Sequence, residues 1–224
     1  MSPNRATFNF LTYLAESANG DGHSDPDRLP SLVDLSEELG ISIASLREQL
    51  QVARALGFVE VRPRTGIRRL PYTFGPSVSQ SLSYAITLDH SYFDAYADIR
   101  KKIEANYWHE AVTLLTVADK DQLDKLIALA TGKLQGDPIQ IPHKEHRQLH
   151  LTIFRHIDNP FVTGILQAYW DAYEEVGLNR YSHLEYLEEV WRYHERMVAA
   201  ISAGDYEDGY KALIEHFDLI NTRP

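Results

Sequence analysis

The chain has 224 residues, 44% of them hydrophobic, and no cysteine, so disulfides are excluded and there is room for two modest domains with separate cores. No apolar run approaches the roughly 20 residues that cross a bilayer, and the N-terminus lacks the basic-then-apolar pattern of a secretory leader, so a cytoplasmic protein is predicted. The formal charge of −10 is unevenly spread: residues 1–75 carry eight arginines, no lysine and nine acids, which leaves most of the excess acid in the rest of the chain.

In chain order, Ala6 to Ala18 predicts a helix with Phe8, Leu11, Leu14, Ala15 and Ala18 on one side. A loop rich in Gly, Asp and Pro follows, from Asn19 to Arg28. Ser31 opens a Ser-x-x-Asp capping box, and Leu32, Leu35 and Leu39 repeat at helical spacing. Gly40 supplies a left-handed stop, and Ser42 restarts a helix with Leu46, Leu50, Ala53 and Leu56 in one stripe, ended at Gly57. Two helices with so short a join cross steeply, as in a helix-turn-helix.

Residues 58–62 then read as a strand, Pro63 to Gly66 as a turn, and 67–70 as a returning strand, and this small hairpin carries Arg62, Arg64, Arg68 and Arg69. Such a charge run is usually a solvated face, but beside a helix-turn-helix it predicts phosphate contact. Ser42, Ala44, Ser45 and Arg47, at the start of the second helix, suit a major groove. The candidate DNA contacts are Ser31, Ser42, Ala44, Ser45, Arg47, Arg62, Arg64, Thr65 and Gly66.

Two prolines and a glycine within residues 71–76 mark a boundary. The domains expected are a winged helix-turn-helix over 1–72, a linker over 73–77 and a helical body over 78–224. Helices are predicted near 77–88, 90–107, 108–117, 119–134, 141–157, 160–176, 182–202 and 205–218, forming an all-α antiparallel bundle. The fold class is therefore mainly α.

His146 and His150 lie four apart on one helix and share a face. His194 is ten residues before Gly204 and His216 twelve after it, so at about 1.5 Å per residue an antiparallel hairpin brings them level. Four such imidazoles inside a bundle would hold zinc, nickel or copper rather than magnesium or calcium. The same spacing also fits unrelated surface or hydrogen-bonded histidines, and His109, His143 and His156 read as such. Arg100 lies on the apolar stripe of Phe93, Tyr96, Ala97, Ile103 and Tyr107, where it either receives a carboxylate or pairs with Glu104.

The N-terminal part resembles the winged-helix reader of the GntR family of bacterial transcription regulators through Leu29-Pro30-Ser31, Leu39-Gly40-Ile41-Ser42, Leu46-Arg47-Glu48, Leu56-Gly57-Phe58-Val59 and Gly66. It departs at Val33 and Ile43, where that family usually has DNA-contacting arginines. Residues 78–218 resemble the FadR C-terminal (FCD) domain of the FadR subfamily. The matching stretches are Arg100-x-x-Ile103-Glu104, Leu149-His150 with Asn159-Pro160, and His194 with Ala203-Gly204-Asp205 and His216.

The resemblance implies an effector-sensing homodimer on double-stranded operator DNA, most often a repressor. In the metal-binding branch, an Asp and three histidines hold a divalent ion. Here His150, His194 and His216 fall on the histidine positions and His146 on the Asp position. It further implies a divalent metal cofactor, which the imidazole ligands make zinc or nickel, and a small organic acid bound by Arg100; Tyr96, Tyr92 and Asn159 are expected to line the same cavity. Two readings compete: a metal-dependent hydrolase, and a metal-free organic-ligand sensor.

Overall fold

The computed structural model describes residues 9–17, 25, 27–63, 66–177 and 184–219. The chain divides into two compact units between Gln80 and Ser81. The division falls inside helix α4 (Gly75–Leu88), so the expected linker over 73–77 is already helical at its end.

In the first unit, α1 (Asn9–Glu16), α2 (Leu32–Leu39) and α3 (Ile43–Ala55) precede a hairpin of β1 (Val59–Arg62) and β2 (Gly66–Arg69). The caps are local chemistry: Ser31 and Asp34 form the reciprocal capping box, Gly40 takes φ 66°, and Ser42 Oγ accepts the amide of Ser45. The strands are antiparallel, with Val59 opposite Arg69 and Val61 opposite Ile67. The core joins Phe10, Leu14, Leu35, Leu46, Leu50, Ala53, Val59 and Ile67. Phe10 was not part of the expected α1 stripe yet is fully buried, whereas Ala15 is exposed. Gln49 accounts for this, because its side-chain carbonyl accepts the Phe10 amide at 2.9 Å and fixes which face of α1 turns inward.

The second unit contains α5 (Ser91–Thr113), α6 (Val117–Leu134), α7 (His143–Ile153), α8 (Pro160–Gly177), α9 (Leu184–Ala203) and α10 (Tyr206–Leu219). The two helices expected over 90–107 and 108–117 are one. No breaker occurs at 107–108, and the buried stripe Phe93, Ala97, Arg100, Glu104, Trp108, Ala111 continues across it. The break comes where Thr116 and Asp119 build a capping box for α6. Neighbour relations close the helices into a ring, α5–α8–α7–α6–α9–α10 and back to α5. All six present buried side chains to one interior.

Gly209 lets α10 approach α5. A Cβ there would lie 2.7 Å from the Trp108 ring, whose Nε1 donates to the Tyr206 carbonyl. Asp119 ties the start of α6 to the residues after α7: its carboxylate accepts from Thr116 Oγ1 (2.6 Å), His156 Nε2 (2.8 Å) and Arg155 Nη1 (2.7 Å). The Thr116 hydroxyl, with His156 and Arg155, holds the Asp119 carboxyl below its usual range. Asp119→Ala is expected to lower unfolding free energy by about 1–3 kcal/mol at neutral pH. The contribution is complete above about pH 4, the unfolded value, and is lost as pH falls through the lower folded value. Urea midpoints of variant and wild type should therefore converge in acid.

Candidate metal centre

Four imidazoles meet inside the ring. One ligand nitrogen from each of His146, His150, His194 and His216 lies within 4.8 Å of every other. His150 Nε2 is 3.1 Å from His194 Nε2, and the His194 and His216 ring centroids are 4.4 Å apart. The helix pair α9–α10, turned at Gly204 (φ 77°), sets His194 level with His216. The i,i+4 spacing on α7 sets His146 over His150, centroids 5.2 Å apart.

His150, His194 and His216 are essentially inaccessible to solvent. Burial lowers the pKa of all four rings, and the neighbouring imidazoles and Arg100 lower those of His146, His194 and His216 further. The cluster is therefore neutral near pH 7, the state in which imidazole binds metal. His146 Nε2, His194 Nδ1 and both nitrogens of His216 are buried without a hydrogen-bond partner. Buried polar atoms left unpaired are costly, and four in one cluster have the donor character that a cation would satisfy. Nitrogens on one tetrahedral zinc lie about 3.3 Å apart for bonds of about 2.0–2.1 Å, so a modest contraction would suffice. The donor set fits a divalent transition metal.

Arg100 and Glu104 come from α5 beneath this cluster and are 1% and 0% exposed. Arg100 Nε lies 2.9 Å from Glu104 Oε1, and His150 Nδ1 lies 3.2 Å from Oε2. Burial raises the Glu104 pKa, but Arg100 and His150 outweigh it and keep the carboxylate ionised. The guanidinium carbon sits 4.9 Å from the Tyr169 ring centre and 5.1 Å from that of Trp170. Arg100 thus pairs with Glu104, one of its two sequence readings, and also borders open space.

That space is a cavity of about 330 Å³ walled by Phe93, Arg100, Lys101, His146, Tyr169, Tyr173, Trp191 and His216, among others. Tyr96 and Asn159, expected here, do not line it. The Tyr96 hydroxyl donates to the Ile165 carbonyl, and the Asn159 side-chain carbonyl accepts the Phe161 and Val162 amides at the start of α8. Tyr92 is half exposed and lies outside it as well. His143, read as unremarkable, does line the cavity, whereas His156 and His109 are engaged by Asp119 and Glu207. Trp191 and Tyr173 could have been found, since Trp191 precedes His194 by three residues on one face and Tyr169 precedes Tyr173 by four. Glu145 points away to Lys133 at 2.7 Å.

In the first unit, Ala44 and Arg47 are exposed at the start of α3. Ser31 and Ser42 serve as caps, Ser45 Oγ accepts from Gln49, and Arg62 contacts Glu60. Gly66 takes φ 83° at the hairpin turn, while Arg64 and Thr65 lie outside the described residues. Arg68 and Arg69 are not free for phosphate in the way their charge suggested. Arg68 forks onto Asp25 at 2.6 and 3.1 Å, and Arg69 bonds Ser17.

The FCD domain family matches residues 96–219. The HTH-type transcriptional regulator LutR of Bacillus subtilis is 23% identical over 85% of this chain and 88% of its own length. An Escherichia coli protein named as an L-lactate dehydrogenase operon regulatory protein is 27% identical over 87% of this chain and 77% of its own. Among solved structures, Streptococcus agalactiae GntR superposes with a TM-score of 0.65 at 16% identity, covering 94% of each chain. Escherichia coli McbR/YncC gives 0.50 at 21%, covering 96% and 93%.

Proposed function

The chain belongs to the FCD-domain transcription regulators of the GntR family, and on that footing we propose that it is a metal-dependent sensor of a small carboxylate that acts as a repressor. Its first unit would read operator DNA as half of a cytoplasmic homodimer, since one winged helix contacts only a half-site. Its second would hold zinc or nickel on His146, His150, His194 and His216. The observation that carries this is the convergence of four buried neutral imidazoles whose nitrogens lack partners.

Bound there, a metal would supply an electrophilic coordination position for an anion. The charge balance favours one. Four neutral ligands leave the ion uncompensated, and Glu104 is already matched by Arg100. Lys101 adds a further cation at the cavity wall. The aromatic wall and 330 Å³ of space suit a small organic acid, and one relative's name sets it at an L-lactate dehydrogenase operon, which makes hydroxy acids the first class to test. An acid that binds better in one arrangement of the paired readers shifts the population toward or away from DNA competence.

Protein purified without a nickel column should contain close to one equivalent of zinc or nickel per chain by elemental analysis, and EDTA should remove it. Less than about half an equivalent counts against the site. The hydrolase alternative requires turnover of an ester or phosphate that His150→Ala abolishes. Glu145, the acid beside the cluster in sequence, is held by Lys133 instead of facing a water.

A further inference from the structure

We infer that Glu104 is a positioning residue for the metal: it fixes the tautomer of His150 so that Nε2 is presented to the cluster. The inference rests on the metal reading above and concerns which of the chain's own groups prepares that ligand.

The geometry argues as follows. His150 Nε2 faces His194 Nε2 at 3.1 Å, on the side where the other imidazoles converge. Its opposite nitrogen, Nδ1, is 3.2 Å from Glu104 Oε2. Both are fully buried, so no water competes for that nitrogen. Neither Glu104 oxygen receives an aligned hydrogen bond, although Arg100 Nε lies 2.9 Å from one of them. A buried carboxylate with unspent lone pairs next to an imidazole nitrogen stabilises a proton on that nitrogen and disfavours a lone pair there.

Arg100 holds the other half of the balance. Its Nη2 lies 3.0 Å from His150 Nδ1 and 3.2 Å from Nε2, so the guanidinium caps the ring edge and can donate to whichever nitrogen is bare. Two tautomers are thus in play. With the proton on Nε2, Nδ1 turns its lone pair toward Arg100 but also toward the Glu104 carboxylate. With the proton on Nδ1, Glu104 gains a donor and Nε2 is free to bind a cation. Metal on Nε2 and Glu104 on Nδ1 are therefore mutually reinforcing, and a histidine oriented by a carboxylate is a stronger and better-aimed ligand. The same arrangement leaves Arg100 without a bare nitrogen on His150, at the edge of the cavity it lines.

The test measures zinc affinity by competition with a chromogenic chelator, on the full chain, for wild type, Glu104→Gln and Asp98→Asn. Asp98 sits on the same helix in an exposed pair with Lys102 and controls for loss of a charge from α5. Expected is a loss of about 10–100-fold for Glu104→Gln and no change for Asp98→Asn. In the metal-free wild type, long-range proton–nitrogen NMR should already show His150 protonated at Nδ1, and a proton on Nε2 instead overturns the inference. This second measurement decides the matter if Glu104→Gln does not fold. Equal affinity of wild type and a folded Glu104→Gln overturns the inference alone, as does zinc on Nδ1. Wild-type protein that takes up no zinc overturns the metal reading and the inference with it.

Discussion

Replacing His216 with leucine should abolish the zinc-dependent rise in melting temperature while leaving the metal-free protein at least as stable as metal-free wild type. The two halves of this result have different causes. His216 is 1% exposed and both its ring nitrogens are unpartnered. A buried polar atom without a partner costs about 1–3 kcal/mol, and leucine of similar volume removes two of them. Without metal, the histidine is therefore a local defect in the α9–α10 hairpin, where Met197, Ile201, Leu213 and Phe217 form the apolar core and Arg196 ties the two helices through Asp208 and Glu215.

With metal the sign reverses. A ligand that binds only the folded state, present at about a thousand times its Kd, stabilises by about 4 kcal/mol. For a protein of this size that corresponds to about 8–16 °C in Tm. Wild type should show this rise with zinc or nickel and lose it with EDTA. His216→Leu should show neither, and His109→Ala, at an exposed pair with Glu207, should behave as wild type. A His216→Leu protein destabilised without metal, against a wild type indifferent to metal, would make the cluster a structural core and end the sensor reading.

Each of the two histidine pairs was legible because it is local, whereas their meeting in one cluster was an expectation from the resemblance to the FCD domain. His146 and His150 are one helical turn apart, and His194 and His216 are related by counting rise away from a turn marked by Gly204 and Asp205. The caps at Ser31, Gly40 and Ser42 were legible for the same reason, since each involves partners within four or five residues. The ring order of the helices was not, because nothing within α8 states that it lies between α5 and α7. That hid the cavity wall of Tyr169 and Tyr173, and it misplaced Tyr96, whose hydroxyl is taken by the α8 carbonyl of Ile165. Asn159 was misread because a residue before proline can serve as a cap as readily as a ligand, and here it caps. The Arg68 and Arg69 charges misled in the opposite way. Counted along the chain they form a phosphate-binding run, but Asp25 and Ser17, some forty to fifty residues earlier, bind them.

That loss of two arginines concentrates the expected DNA contact on few groups, so Arg47→Ala combined with Arg64→Ala should abolish an operator shift. Arg47 is exposed at the start of α3, behind the Ser42 cap that fixes the helix's first turn. An arginine in a major groove contributes about 1–3 kcal/mol through one bidentate base contact. A chain with Val33 and Ile43 in place of the usual arginines has few others to share the load. Removing two contacts per protomer in a dimer doubles the loss, and about 4 kcal/mol is already close to a thousandfold. The measurement is a gel shift on a site selected from random DNA, with elemental analysis alongside. Arg47 belongs to the first unit and the histidines to the second, so metal content should be unchanged. If instead the double variant binds as wild type does, α3 is not the reading helix. If metal content falls as well, the substitutions have damaged folding, and Arg47→Lys must separate charge from the fork that a guanine edge requires.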